Sequence, residues 1–278
     1  MKKRGVAKSG GRMRIGFIGC GKMGGAILEA LLEAKIARPA DVRVCDAVPE
    51  RIAQLEQSLR VRGAAAETVV RESDVVFLSV KPQDMGAALA ALPADALARP
   101  LFVSIAAGRR LAWLEERLPG ARVVRVMPNL AVSVGLGMSG YCGGSRARGR
   151  DLKLAAKLLA CTGMAIAVPE ERMDAVTALS GSGPAFLAYA LQAMIDGGVA
   201  AGLEEPVART MALQTMLGTA AVLAAGETGV ADFIRSVTSA KGTTAEGLAV
   251  LEKSALRTTM RRTIAAAARR SRELSALA

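Results

Sequence analysis

The sequence predicts an α/β fold: a parallel sheet over its first part, then a region that is all helix. Three observations carry this. Between Arg14 and Glu170, short β-branched runs alternate with segments of helical period, the pattern of βαβ units. The runs are apolar nearly throughout, as strands covered on both faces must be. After Glu171 the strand signal stops and each segment reads as helix.

Taken in order, the strand runs are RIGFIG, VRVCD, DVVFLSV, LFVSIA, RVVRVM and MAIAVP, and between them MGGAILEALLEAKI, PERIAQLEQSLR and LAWLEERL have helical spacing. The helical part follows as four stretches, beginning at Glu171, Glu205, Gly229 and Thr243. The expected domains are residues 13–170 and 171–278, preceded by a basic, disordered tail over residues 1–12 with little to bury. The first helical stretch contains an apolar run from Ala175 to Ile195 that matches the length of a bilayer span, about 20 residues. Gly183 and Pro184 lie inside it, and Pro184 belongs near a helix start. Ala and Gly add little insertion energy, so a buried helix covered by a subunit interface is the expected reading, and no membrane is expected.

The totals narrow the chemistry. The chain has 278 residues, four Cys, no His and a formal net charge of +12. Without His, most zinc chemistry and every His-based triad are excluded, and no metal is expected. Proton transfer falls to Lys, Ser, Thr, Tyr, a carboxylate or water. Cys20, Cys45, Cys142 and Cys161 form no CxxC pair, and MKKRGVAKSGGR is followed by no apolar run of the secretory kind. Reduced thiols and a cytoplasmic location are therefore expected. The charge admits nucleic acid or small anionic ligands. Aromatic residues are only 3% and do not interleave with basic patches, which favours small anions over nucleic acid.

Three stretches carry candidate sites. Gly19, Gly21 and Gly24 form G-x-G-x-x-G between the first strand and the first helix. There one Gly permits the turn, one admits a pyrophosphate, and one lets helix pack on strand. This is a Rossmann-like dinucleotide site. The next strand ends at Asp46, where an acidic residue typically bonds the ribose and favours NAD, while nearby Arg51 could meet a 2′-phosphate and an ordinary helix-capping role for Asp46 is also open. The loops SVKP (Ser79–Pro82) and IAAG (Ile105–Gly108) follow later strands and should border the same ligand. Near the other end, SVTSAKGTTAEGL leads into a helix that starts near Thr243 or Thr244. Thr243 and Glu246 fit a capping box. The same helix start could hold a carboxylate on its free N–H groups.

These motifs together resemble the pyrroline-5-carboxylate reductase family. AVTALSGSGPAFLAYALQAMIDGGVAAGL and VTSAKGTTAEGLAVLE carry the resemblance in the helical part. IGFIGCGKMGGAI, FLSVKPQ, SIAAG and RVMPN carry it earlier, and it spans about residues 13–275. The resemblance implies reduction of 1-pyrroline-5-carboxylate to L-proline by NADPH or NADH, with preference unresolved. It implies a Rossmann-like domain followed by an all-helical dimerisation domain, homodimers that often form decamers, and an active site shared between subunits. By motif, Ile18, Gly19, Cys20, Gly21, Lys22 and Met23 would line the dinucleotide, with Ser79, Val80, Lys81, Pro82, Ala106, Ala107 and Gly108 near its ribose and nicotinamide. Ser239, Gly242, Thr243 and Thr244 would hold the substrate carboxylate and ring nitrogen, with Thr244 catalytic, and Glu170 would reach toward the substrate. The chain departs from the family where Lys241 replaces a Gly, a costly exchange if the backbone there is left-handed.

Overall fold

The computed structural model describes residues 13–226 and 228–276; the expected tail, residues 1–12, lies outside them. The described chain packs as two units. The division falls after Gly181, and the residues from Ala268 belong with the first unit. The expected boundary at 170/171 marks instead where strands give way to helices.

The first unit is an eight-stranded sheet with helices between its strands. Its elements are β1 (Ile15–Ile18), α1 (Lys22–Glu33), β2 (Val42–Cys45), α2 (Pro49–Leu59), β3 (Arg62–Gly63), α3 (Ala66–Glu72) and β4 (Val75–Leu78). Then come α4 (Met85–Ala90), β5 (Leu101–Ser104), α5 (Leu111–Arg117), β6 (Arg122–Met127), β7 (Gly137–Gly143), α6 (Gly149–Leu159) and β8 (Gly163–Ala167). The strand order is β3-β2-β1-β4-β5-β6-β7-β8. The first six in space are parallel and have the doubly wound order. β1, β4 and β5 are buried at every position, which is why they read as unbroken apolar runs. Phe17 of β1 stacks on Phe77 of β4 with ring centroids 4.9 Å apart.

Two strands of the sheet run opposite to the other six: β8, expected as part of the parallel sheet, pairs parallel with β7, and the unexpected β7 pairs antiparallel with β6. Its sequence, GMSGYCG, reads as a loop. Its glycines instead mark close packing: a Cβ on Gly140 would lie 2.6 Å from a methyl of Val176. The short helices α3, α4 and α6 also go unannounced in the sequence.

After β8 the chain turns through α7 (Met173–Val176) and a π-helical turn over Thr177–Gly181. The apolar run from Ala175 to Ile195 is therefore no single span, because a new helix, α8 (Gly183–Ala200), begins inside it with Pro184 in its first turn. The second unit contains α8, α9 (Glu205–Ala225), α10 (Val230–Ser236), α11 (Thr243–Lys253) and the first part of α12 (Leu256–Ala276). What reads as one helix from Thr243 onward is two. Ser254 ends α11, and its hydroxyl accepts the N–H of Leu256 at 3.2 Å. The core of this unit is small: Ile195, Ala208 and Ala212, with Leu191 against them. Among the described residues one helix, α9, is long and apolar enough to cross a membrane, at mean hydropathy 1.2.

Candidate functional site

The strand order reverses beside β1, so a crevice opens at the carboxyl ends of β1 and β4. The loop from β1 into α1 lies there, and its three glycines do three different things. Gly19 has φ +88°, and a Cβ on it would fall 2.6 Å from the backbone nitrogen of Val80. A Cβ on Gly24 would lie 2.7 Å from the Ser79 hydroxyl. Gly21 has open space where its Cβ would be. Two glycines seat the turn against the β4 loop and the third leaves a way in. Gly21 is also the N-cap of α1, with no side-chain cap and no acidic residue in the first turn. The first N–H groups of the helix thus remain for an anion.

A cleft of about 350 Å³ adjoins this turn. Cys20, Gly21, Lys22 and Met23 line it, with Arg51 and Gln54 from α2. Its size, its open glycine and its cations fit the phosphate and ribose portions of a dinucleotide. Ile18, at the end of β1, is buried beneath the turn.

The sequence left Asp46 and Arg51 as rivals, but the structure gives them a shared task. Asp46 Oδ2 accepts the Cys20 N–H at 2.6 Å and Oδ1 accepts the Val48 N–H at 3.0 Å. Arg51 Nη1 donates to the Cys20 carbonyl at 3.2 Å. Both tether Cys20 and so order the turn. The remaining lone pairs of Asp46 still allow a ribose hydroxyl to bond. Burial, and then the charge of Asp46, push the Cys20 thiol up to about 12. It stays protonated and is no nucleophile.

The loops after β4 and β5 lie at the same end of the sheet. The Ser79 hydroxyl donates to the Gly19 carbonyl at 2.5 Å. Val80 and Pro82 are half-buried, and Lys81 between them is exposed. Ala106 is buried, Ala107 is exposed, and Gly108 turns the chain with φ +76°. Asn129 was legible only as part of RVMPN. Its Oδ1 accepts the Met138 N–H at 3.1 Å and its Nδ2 donates to the Ser180 hydroxyl at 3.4 Å. It thereby ties the end of β6 to β7 and to the π-helical turn.

Glu170 has partners that sequence reasoning missed. Its Oε1 accepts from Arg125 Nη1 at 2.9 Å and from the Leu111 N–H at 2.7 Å. Arg125 is 5% exposed, and such a buried cation needs a partner. That oxygen of Glu170 therefore neutralises Arg125 and caps the start of α5.

The second unit presents its own arrangement at the start of α11. Gly242 is the N-cap, with no side-chain cap. The expected capping box is not formed, because Thr243 already lies inside the helix rather than at its cap. Side chains therefore leave the helix's first N–H groups free. The Gly242 N–H donates to the Ser239 carbonyl at 3.0 Å, and a Cβ on Gly242 would collide with the Ser239 hydroxyl. Thr243 and Thr244 are exposed, and neither hydroxyl bonds to another described residue. Lys241 has φ +59°. The left-handed backbone is real, and Lys bears it at a cost of roughly 1–2 kcal/mol. The result is an open cup of backbone N–H groups and two hydroxyls, with a cation beside it in the chain.

Comparison with known proteins places both units. Residues 170–274 match the family described as pyrroline-5-carboxylate reductase dimerisation, and residues 14–108 the one described as NADP oxidoreductase, coenzyme F420-dependent. The chain is similar to the pyrroline-5-carboxylate reductase of Methanosarcina acetivorans, 41% identical over 94% of this chain and 97% of that one. It is similar in structure to a pyrroline-5-carboxylate reductase from Coxiella burnetii, with TM-score 0.90, 29% identity, and 95% and 99% of the two chains covered. It is also similar to the Plasmodium falciparum pyrroline carboxylate reductase solved with NADP bound, with TM-score 0.83, 27% identity, and 95% and 98% covered.

Proposed function

The chain belongs to the pyrroline-5-carboxylate reductase family, and we propose how its two sites divide that enzyme's work. It is an NAD(P)H-dependent oxidoreductase that reduces 1-pyrroline-5-carboxylate to L-proline. The observation that carries this is kinship over 94% of the chain.

In this proposal the first unit holds the dinucleotide. The α1 N–H groups and the open side of Gly21 take the pyrophosphate, Asp46 and Arg51 face the adenosine ribose, and Ser79–Pro82 with Ala106–Gly108 border the nicotinamide end. The cofactor, when bound, supplies the hydride. The second unit holds the cyclic imine. Backbone N–H groups of Thr243 and Thr244 take its carboxylate, helped by the positive end of the α11 dipole. The Thr244 hydroxyl accepts a hydrogen bond from the ring N–H of the protonated imine and fixes its orientation. With no His in the chain, the imine enters already protonated, and the protein's task is to orient it and exclude water. Ser239 shapes the cup from beneath Gly242. Glu170 supports the site through Arg125 and the start of α5.

The chain forms a homo-oligomer through the second unit. A dimer covering the apolar faces of α8 and α9, rather than a bilayer, is part of the proposal, as are decamers of such dimers, a cytoplasmic location and the absence of nucleic-acid binding. The test of the reaction is absorbance of reduced nicotinamide, with purified protein and 1-pyrroline-5-carboxylate. Substrate-dependent loss of signal with NADPH or NADH is expected. Folded, assembled protein that oxidises neither would refute the assignment.

A further inference from the structure

We propose that Arg109 is a positioning residue for the dinucleotide, clipping the loop after β5 onto the loop after β4. The inference rests on the dinucleotide reading of the first unit. β4 and β5 are neighbouring parallel strands that end side by side, Leu78 opposite Ser104. Arg109 closes the gap between the loops that leave them. Its Nε and Nη2 both donate to the Pro82 carbonyl, at 3.0 and 2.6 Å.

The fork is held in place by its surroundings. The left-handed Gly108 turns the chain just before it. The guanidinium then lies over Trp113, 4.5 Å from the ring centroid and one helical turn onward. Stacking fixes the plane of the guanidinium, so little freedom is lost when its two bonds form. A lysine could reach the carbonyl with a single donor but could offer neither the fork nor the stacked plane.

Pro82 matters because of what its loop touches. Two residues earlier, Val80 is the backbone against which Gly19 is seated, and the Ser79 hydroxyl bonds the Gly19 carbonyl at 2.5 Å. The chain of contact runs from Trp113 through Arg109, Pro82 and Ser79–Val80 to the phosphate-binding turn. Releasing Pro82 loosens the wall against which that turn is built. Arg109 touches none of the reacting atoms, so its effect falls on dinucleotide affinity rather than on the chemical step.

Arg117 supplies an internal control. Its guanidinium also lies over Trp113, at 4.1 Å, but it bonds Glu116 and the Trp113 carbonyl and leaves the β4 loop alone. Trp113 is the chain's only tryptophan, so its emission reports this corner of the molecule.

The test titrates full-length parent, Arg109→Ala, Arg109→Lys and Arg117→Ala with NADPH, following Trp113 emission and, independently, calorimetric heat. Steady-state kinetics follow on the same samples, and circular dichroism melts establish folding. In both Arg109 variants NADPH Kd and KM should rise about tenfold, with kcat within about threefold and imine KM unmoved. Arg117→Ala should bind as the parent does. The clip is overturned if folded Arg109→Ala binds within about twofold of the parent. It is overturned equally if Arg109→Lys restores parental affinity, which would make charge rather than the fork the cause, or if Arg117→Ala loses as much. Should Arg109→Ala not fold, Arg109→Lys alone decides. A folded parent that binds no NADPH would instead sink the dinucleotide reading itself, and the clip with it.

Discussion

The two units treat their apolar side chains in opposite ways. In the first, Phe17, Phe77 and Phe102 are wholly buried, and β1, β4 and β5 expose nothing. In the second, Tyr189 is 83% exposed, Leu187 57%, Met211 56% and Val250 69%. Apolar strands make a closed core in one case, and apolar helices leave an open surface in the other. A surface that apolar is unfinished business for a single chain. In the proposed reading this unit completes its core with another copy, in keeping with the match of residues 170–274 to the dimerisation family. Their sites differ in the same sense. The glycine-rich turn is braced by the side chains of Asp46, Arg51 and Ser79, whereas the cup at α11 is bare backbone and hydroxyls.

The contrast is broken most severely by charging the open surface. Leu187→Asp with Met211→Asp should abolish self-association in light scattering and lower turnover on the order of 100-fold; a variant that keeps parental mass would show that those faces stay in solvent. The matching change inside the first unit is Phe77→Ala. It should cost about 3–5 kcal/mol in urea unfolding while the oligomer persists under native conditions.

Smaller changes sharpen the comparison between the two sites. Asp46→Ala removes one tether of the phosphate turn, at the Cys20 N–H, and the carboxylate that in the proposed reading faces the ribose. NADH affinity should fall about tenfold and NADPH affinity less, because the same change removes repulsion of a 2′-phosphate. Equal losses for the two would confine Asp46 to ordering the turn. Lys241→Gly acts in the other unit. It should raise stability by up to about 1 kcal/mol, by relieving the left-handed backbone, and raise the imine KM a few-fold, by removing the cation. A lower KM would mean that the charge opposes the carboxylate.

A further contrast is the effect of pH on the first unit. Burial pushes the Cys20 thiol up to about 12 and those of Cys142 and Cys161 up to about 11. An ordinary thiol ionises near 9.0. The fold therefore keeps protons that the unfolded chain sheds. The stability they contribute is whole below pH 9.0 and declines as pH rises from there toward the folded values. The urea midpoint should be lower at about pH 10 than at about pH 7.5. No difference would mean that these thiols ionise as freely in the folded chain as in the unfolded one.

Much of this was legible in the residues. Strands covered on both faces must be apolar, so β1, β4 and β5 could be read directly, and the G-x-G-x-x-G turn followed from the strand before it. β7 could not be read, because its glycines serve close packing, Gly137 against Val132, Gly140 against Val176 and Gly143 against Leu152, and nothing local distinguishes that from a loop. The capping box failed for a similar reason: Thr243 and Glu246 have the right spacing, but Gly242 takes the cap and shifts the register by one residue. Asp46 was read as a ligand for ribose or a cap for the next helix; its bond to Val48 is local, at the start of α2, whereas its bond to Cys20 depends on where α1 and β2 meet. Glu170 was read toward the substrate, and its bond to Arg125 spans elements that sequence order separates. Arg109 lay next to a quoted motif, but only the folded chain brings it to Pro82.

The central claim is that the two units divide the reaction, the dinucleotide held by the first and the imine by the second. Thr244→Ala tests it most directly, with NADPH Kd and substrate-dependent turnover measured on the same full-length sample. The account predicts that turnover falls about 100-fold while NADPH affinity stays within about twofold of the parent. A parallel loss of NADPH binding, or unchanged turnover, would contradict it.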